Sequence, residues 1–204
     1  MKEEEAKNFC KNILNLSAST IDKLELFKKL LLDYNNKYNL ISRNTEKLMW
    51  SRHIADSAQL LRFIDTKLKV NIADLGTGAG FPGIVIAICN RNPDFHVKLY
   101  EKSSVKRDFL KQVKKKLDIK FDLEVNVLDQ PIEADIIVSR AFKKLEKIIK
   151  ISREMIKKPH KIIILKGKNA QEEINNVSLG ANYSYKLENS LTNADSRIII
   201  VNVK

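Results

Sequence analysis

Glycine is scarce in this chain, six of 204 residues, and proline (four), histidine (three), cysteine (two) and tryptophan (one) are scarcer still. Two cysteines cannot build a disulfide scaffold. Cys10 and Cys89 also lie far apart, with no C-x-x-C and no histidine at ligand spacing. No metal site is therefore expected, and both thiols read as small core residues of a reduced compartment. Long apolar runs are missing too: none reaches the 18 or so residues of a membrane span, and the chain starts with the charged Lys2, Glu3, Glu4 and Glu5. Neither a membrane span nor a signal peptide is expected, and the expected location is cytoplasmic.

The few glycines are not scattered. Four of the six, Gly76, Gly78, Gly80 and Gly83, fall within eight residues. The chain there reads Val70-Asn71-Ile72-Ala73-Asp74-Leu75-Gly76-Thr77-Gly78-Ala79-Gly80-Phe81-Pro82-Gly83 and continues into the apolar Ile84-Val85-Ile86-Ala87-Ile88. Glycine loses the most entropy on folding, so such a cluster marks backbone at positive φ or close to a ligand. A strand, a glycine loop and a helix N-terminus in that order make a nucleotide-binding geometry. The spacing is G-x-G-x-G, whereas a dinucleotide fingerprint needs a third glycine where Phe81 stands. The tighter turn suits a nucleoside ligand without a pyrophosphate, such as S-adenosylmethionine. The next apolar run, Phe95 to Tyr100, ends at Glu101, 25 residues after Gly76, where an acid accepts hydrogen bonds from ribose hydroxyls. Pro82 is expected at the first position of the following helix, where its missing N–H costs nothing.

At 44% apolar residues the chain can bury one substantial core plus a small appendage. The net charge of +12 invites a polyanionic partner. Only eight of the 37 basic residues are arginine, however, and abundant Lys, Asn and Ile also fit an AT-rich genome.

Residues 1 to about 65 read as helical. Ser19-Thr20-Ile21-Asp22 offers an N-cap with an acid in the first turn. Ile21, Leu24, Phe27, Leu31 and Tyr34 follow at helical spacing to an end near Tyr38-Asn39. A further helix is expected from Asn44 or Thr45, carrying Leu48, Trp50, His53, Ile54, Ser57, Leu60 and Leu61. From Val70 short β-branched runs alternate with helical segments, as in a parallel sheet. Strands are expected near 70–75, 95–100, 122–127, 135–139 and 161–166, and helices near 82–90, 104–117, 143–157 and 169–176. The last two apolar runs, near 181–187 and 196–203, have no helix between them and should pair antiparallel at one edge. The expected fold is thus α/β: a doubly wound, mostly parallel seven-stranded sheet of the class I methyltransferase (Rossmann-like) type. It carries an antiparallel edge hairpin and an N-terminal helical extension. Residues 1–65 are expected to pack on the substrate side of a cofactor-binding core, 66–204.

Six segments together resemble one family. In order they are Tyr38-Asn39-Leu40-Ile41-Ser42, Arg52-His53-Ile54-Ala55-Asp56-Ser57, the Asp74 to Gly83 block, Lys106-Arg107-Asp108-Phe109-Leu110, Ser139-Arg140-Ala141-Phe142 and Leu165-Lys166-Gly167. Over roughly residues 20–203 the chain is similar to the glucose-inhibited division protein B family, small-subunit ribosomal RNA methyltransferase G. The D-x-G-x-G-x-G-F-P-G and R-H-x-x-D-S blocks are specific in combination and only suggestive singly. The resemblance implies methyl transfer from S-adenosylmethionine to N7 of a guanine in the 530 loop of 16S rRNA. Its partner would be the 30S ribosomal subunit, and the enzyme is expected to be a monomer. One segment departs from the family. Where the family carries an Arg-x-Glu-Glu stretch near the adenine, this chain reads Val125-Asn126-Val127-Leu128-Asp129-Gln130-Pro131. Either Asp129 takes over the adenine contact or the backbone suffices there.

The cofactor residues expected are Asp74, Gly76, Thr77, Gly78, Gly80, Phe81, Glu101, Ser103, Asp129 and Arg140. Arg140 follows the fourth strand at the carboxyl edge where doubly wound sheets bind ligands, and it pairs either with the methionine carboxylate or with an RNA phosphate. RNA contacts are expected from Asn39, Arg52 and His53 at the rim of a guanine pocket, and from Lys106, Arg107, Lys166 and Arg197. Arg52 and Asp56, at i and i+4, share a helix face, so the plainer arrangement there is a local ion pair with His53 turned into the core. Guanine N7 is an unprotonated lone pair. No general base is expected, and Arg140 and His53 act by positioning. Two other functions stay open: a class I methyltransferase for another RNA or a small molecule, and an RNA-binding relative that has lost catalysis.

Overall fold

A computed structural model describes residues 1–177 and 180–204. Its strands are β1 (Asn71–Leu75), β2 (His96–Tyr100), β3 (Asp122–Glu124), β4 (Ile136–Arg140), β5 (His160–Lys166), β6 (Tyr183–Asn189) and β7 (Arg197–Val203). They form one seven-stranded sheet in the order β3-β2-β1-β4-β5-β7-β6. The first five run parallel. Strand β7 is antiparallel to both neighbours, from Lys166↔Arg197 to His160↔Val203 along β5. This is the mostly parallel sheet with an antiparallel edge hairpin that the sequence leads one to expect.

Parallel strands are covered on both faces, which is why runs such as Ile162-Ile163-Ile164 do not alternate with polar residues. Ile72, Val97, Leu99, Val138, Ile163 and Ile198 point into one core, which they share with the N-terminal helices and with α5 (Gly83–Cys89) and α6 (Ser104–Leu117). Their neighbours Ala73, Leu75, Ile137, Ile162, Ile164 and Ile199 point into a second, beneath α7 (Leu145–Met155) and α8 (Ala170–Asn175). The first 65 residues thus close the face of the sheet that α5 and α6 leave open. They comprise α1 (Glu3–Asn8) with a π-helical turn (Phe9–Ile13), α2 (Ala18–Tyr38), α3 (Arg43–Glu46), a second π-helical turn (Met49–Ile54), α4 (Ala55–Ala58) and a 3-10 turn (Gln59–Phe63).

Four local expectations need correction. Helix α2 begins earlier, because the Ser17 hydroxyl caps it by accepting the Thr20 N–H at 3.2 Å. The helix expected from residue 44 to beyond 60 is broken into four short pieces. There the Glu3 carboxylate accepts the backbone N–H groups of Trp50 (2.9 Å) and Ser51 (2.8 Å), supplying from α1 the acceptors that the widened turn lacks. Pro82 is the N-cap of α5 and not its first residue. Strand β3 stops at Glu124, opposite Tyr100, since β2 ends there and leaves nothing beyond to pair with.

The glycine loop lies between β1 and α5. At Gly83 a Cβ would sit 2.3 Å from Leu99 Cδ2 and 2.6 Å from Asp74 Oδ2, so only glycine lets α5 approach the sheet. Gly83→Ala should therefore destabilise the fold by about 1–3 kcal/mol through overpacking. Gly180→Ala, where among the described residues nothing beyond the chain neighbours lies within 4 Å of the added Cβ, should stay within about 0.5 kcal/mol. Guanidinium unfolding midpoints of the two variants check this; equal midpoints would contradict the close approach.

Candidate functional site

The loop is fastened from three sides. Asp74 is fully buried at the end of β1, and its Oδ2 accepts the Gly83 N–H at 2.7 Å. Burial pushes its carboxyl up to about 7 against the pull of that bond. The Tyr100 carbonyl, ending β2, accepts the N–H groups of Gly76 and Thr77 at 3.0 and 3.1 Å. Glu101 follows, with Oε2 accepting the Gly78 N–H (2.9 Å) and Oε1 the Ser103 N–H (2.8 Å). Gly76, Gly78 and Gly80 all have positive φ (71°, 61° and 101°). At Gly78 the absence of a side chain also counts, since nothing lies within 4 Å of where a Cβ would be and the loop crest is left open.

That crest faces a cavity of about 350 Å³. Gly76, Thr77, Gly78, Phe81, Glu101 and Arg140 line it, as do Lys102, Lys106 and Ala141. Ile41, Tyr100, Val125, Val127 and Phe142 supply an apolar wall. An apolar wall with one carboxylate already aimed at a glycine crest has the chemistry to hold an adenosine: the wall could take the purine, and the second lone pairs of Glu101 could take the ribose hydroxyls. Asp74, Gly80 and Ser103 do not line the cavity; they hold the loop and the start of α6 from behind, Ser103 as the helix N-cap. Asp129 does not line it either. It sits in an exposed turn and accepts a hydrogen bond from Asn126 Nδ2 at 2.7 Å, while Val125 and Val127 carry that side of the cavity.

A second cavity, about 370 Å³, opens on the other side of the end of β4. Thr45, Arg52, His53 and Asp56 line it from the N-terminal segment, and Leu165, Lys166, Gly167 and Ser196 from the sheet edge. Arg140 and Ala141 line both cavities. Ala141 turns the chain there at φ 51°.

Arg140 is held by three groups of the N-terminal segment. Its Nη1 donates to the Arg52 carbonyl (2.8 Å) and lies 3.6 Å from Asp56 Oδ2, and its Nη2 donates to His53 Nδ1 (2.9 Å). The guanidinium also stacks 4.8 Å from the centre of the Phe81 ring, which His53 meets at 4.9 Å from the other element. An arginine always donates, so His53 Nδ1 must accept and the ring is neutral with its proton on Nε2. Burial, then the charges of Arg140 and Arg52, lower the His53 pKa to about 3. The local Arg52–Asp56 pair, the plainer alternative that helix spacing allowed, does not form: Asp56 faces Arg140, and the Arg52 side chain is exposed.

The remaining expected cations divide. Lys106 lines the first cavity. Lys166 lines the second, but its ammonium is already bound by Glu173 (2.8 and 3.0 Å) and the Lys143 carbonyl (2.8 Å). Arg107 turns back onto the carbonyls of Glu101 and Lys102, and Arg197 onto those of Ala194 and Ser196. Asn39 ends α2 in the left-handed region, exposed and outside both cavities. Ile41, Ala141 and Phe142 lie in segments that carry the family resemblance but were not expected at the site; the other wall residues, with Thr45 and Ser196, look like core, helix or loop in the sequence. Among the described residues no group of three His, Cys, Asp or Glu could hold a metal, and no helix is long and apolar enough to cross a membrane.

With its pKa lowered from 6.5 to about 3, His53 takes up a proton on unfolding between those values, so its contribution to stability falls as the pH drops through that window. Near neutrality it should not titrate at all. A histidine-selective NMR titration is expected to show no inflection for His53 between pH 6 and 8; a midpoint near 6.5 would mean that Arg140 does not donate to it.

The comparisons with known proteins agree with this geometry. The GidB family model, rRNA small subunit methyltransferase G, matches residues 20–198. The ribosomal RNA small subunit methyltransferase G of Orientia tsutsugamushi (strain Ikeda) is 36% identical over 190 residues, 93% of each chain. That of Pelagibacter ubique (strain HTCC1062) is 33% identical over 198 residues, covering 93% of this chain and 91% of the relative. Among solved structures, the O-methyltransferase from Bacillus cereus in complex with SAH matches with a TM-score of 0.61 at 15% identity, over 98% of this chain and 97% of that one. The ribosomal protein L11 methylase from Lactobacillus delbrueckii subsp. bulgaricus matches with a TM-score of 0.59 at 13% identity, over 74% and 77%. At such identities the likeness concerns the fold, which is that of the class I methyltransferases. On the family model and the relatives together, the chain belongs to the rRNA small subunit methyltransferase G family.

Proposed function

We propose that this chain transfers the methyl group of S-adenosylmethionine to N7 of a guanine in the 530 loop of 16S rRNA, acting as a cytoplasmic monomer on the small ribosomal subunit. One observation carries the assignment of the two cavities: they meet at a single wall, Arg140 and Ala141. The glycine crest and Glu101 make the first cavity the cofactor side. The second, lined by Arg52 and Thr45 from the N-terminal segment and by Leu165 to Gly167 from the end of β5, takes the purine.

S-adenosylmethionine supplies a methyl group on a sulfonium, which leaves as the neutral thioether. Guanine N7 offers a lone pair without a proton, so the C–N bond forms as the S–C bond breaks and nothing need be deprotonated. The positive charge passes from sulfur to the purine. The protein's part is alignment, which can be worth several kcal/mol when reacting atoms are held in line. Neutral His53 and buried Arg140 suit that role, since neither is poised to exchange a proton near neutrality. Exposed Arg52 and half-buried Lys106 are left to meet phosphates.

Gly78→Asp keeps a residue type that tolerates positive φ yet puts a carboxylate into the cavity, so it should abolish S-adenosylmethionine binding in calorimetry without loss of fold. Glu101→Ala removes a charged acceptor and should weaken binding by about tenfold or more. Incubated with labelled S-adenosylmethionine, small subunits from cells lacking the enzyme should accept one methyl group. Mass mapping should locate it on a guanine of the 530 loop. Label appearing on protein or on small molecules would overturn the substrate assignment.

A further inference from the structure

Asp56 is the carboxylate that faces Arg140, and the two side chains are only 14% and 18% exposed. At 3.6 Å their contact is an ion pair without a good hydrogen bond. The other carboxylate oxygen is held elsewhere. Asp56 Oδ1 accepts the Thr192 hydroxyl at 2.7 Å and Gln59 Nε2 at 2.9 Å. Thr192 belongs to the loop between β6 and β7, at the far end of the chain. It is itself fixed: the Ser190 hydroxyl lies 2.9 Å from Thr192 Oγ1, and Gln59 Oε1 accepts the Leu191 N–H at 2.9 Å. Because a carboxylate can only accept, the Thr192 hydroxyl donates to Asp56, and the Ser190 hydroxyl is free to donate to Thr192. Gln59, Ser190 and Thr192 are all buried, so the donations from Ser190 to Thr192 and from Thr192 to Asp56 run in one direction through a region of low dielectric, where each strengthens the next, and Arg140 meets the same carboxylate from its other oxygen as an ion pair.

We propose that Thr192 is a positioning residue for methyl transfer: through Asp56 it fixes the Arg140 guanidinium at the wall between the two cavities. The inference rests on the function proposed above. Burial raises the Asp56 carboxyl, and the charge of Arg140, the Thr192 hydroxyl and the charge of Arg52 oppose it. The groups that face this cluster are Arg140 from β4, Arg52 and neutral His53 from the π-helical turn, and Lys166 across the second cavity. The Met1 ammonium donates to the Thr192 carbonyl at 3.5 Å. Without the Thr192 hydroxyl Asp56 protonates at higher pH. Arg140 then loses its counter-charge while still buried, and its position with it.

Thr192→Val removes the hydroxyl and nearly keeps the shape. The pH at which half of kcat/KM for small subunits is lost on the acid side should rise by about one unit, the size of a hydrogen bond to a charged group. Thr192→Ser should restore it. In parallel, a carboxyl-carbon NMR titration of the whole chain should show the Asp56 midpoint moving by the same amount. An even loss of activity at every pH, an unmoved Asp56 midpoint, or failure of serine to restore the profile would each overturn the proposal. Ser190→Ala, one bond further out, should shift the same limb the same way by less; it decides the question if Thr192→Val does not fold, and no shift there is equally fatal. Should the wild-type chain methylate no rRNA, the proposed function fails, and the Asp56 titration still decides the role of Thr192.

Discussion

A charged guanidinium buried at the end of β4 sets the terms for everything around it. Arg140 cannot deprotonate, and an ion taken out of water needs partners in nearly every direction. All three polar partners, the Arg52 carbonyl, His53 Nδ1 and the Asp56 carboxylate, come from the N-terminal segment. The first 65 residues are therefore no mere appendage to a cofactor-binding sheet: they supply the groups that hold its guanidinium in place. Their docking is secured accordingly. Glu3 reaches the second π-helical turn, Glu25 accepts from both Lys7 and the Trp50 indole, and the Asn35 amide holds the Ile41 N–H (2.8 Å) where the chain turns towards the first cavity.

The cofactor half follows a different logic. There side chains serve to fix the backbone of the glycine loop. Asp74 holds the end of the loop through Gly83, and Glu101 holds its crest through Gly78. A loop ordered before its ligand arrives spends little of the binding free energy on ordering. The raised Asp74 carboxyl is the local cost of burying an acid to achieve this.

The glycine loop, the acid after β2 and the alternation of strands and helices were legible because each depends on local chemistry: φ, spacing and hydrophobic period. Even the antiparallel edge followed from the missing helix between the last two apolar runs. What was not legible depends on residues far apart in sequence. Helix spacing assigns Asp56 to Arg52, and only the fold brings in Arg140 as a competitor with no solvent to screen it. Lys166, Arg107 and Arg197 look like open cations until Glu173 and nearby carbonyls are seen to engage them. Asp129 is acidic and near the right place, yet the shortness of β3 turns it out to solvent. Residue type does not mark the apolar cavity wall, since Val125 or Phe142 in a pocket is written with the same letters as in a core; Ile41 and Phe142 stood out only as members of the family segments.

The reversed direction of β7 has a consequence beyond closing the sheet. A parallel strand in that position would have required a crossover, and the link to it would have emerged at the amino ends of the strands. Because β6 and β7 form a hairpin, their connection falls beside the end of β5, where Lys166 pairs with Arg197, on the same rim as the cavities. A hairpin tip is also the part of a sheet whose length can change without altering any strand register. In this chain that tip is tied down: Ser190 and Thr192 are buried in it, and the bonds to Gln59 and Asp56 fasten the last hairpin of the chain to its N-terminal segment.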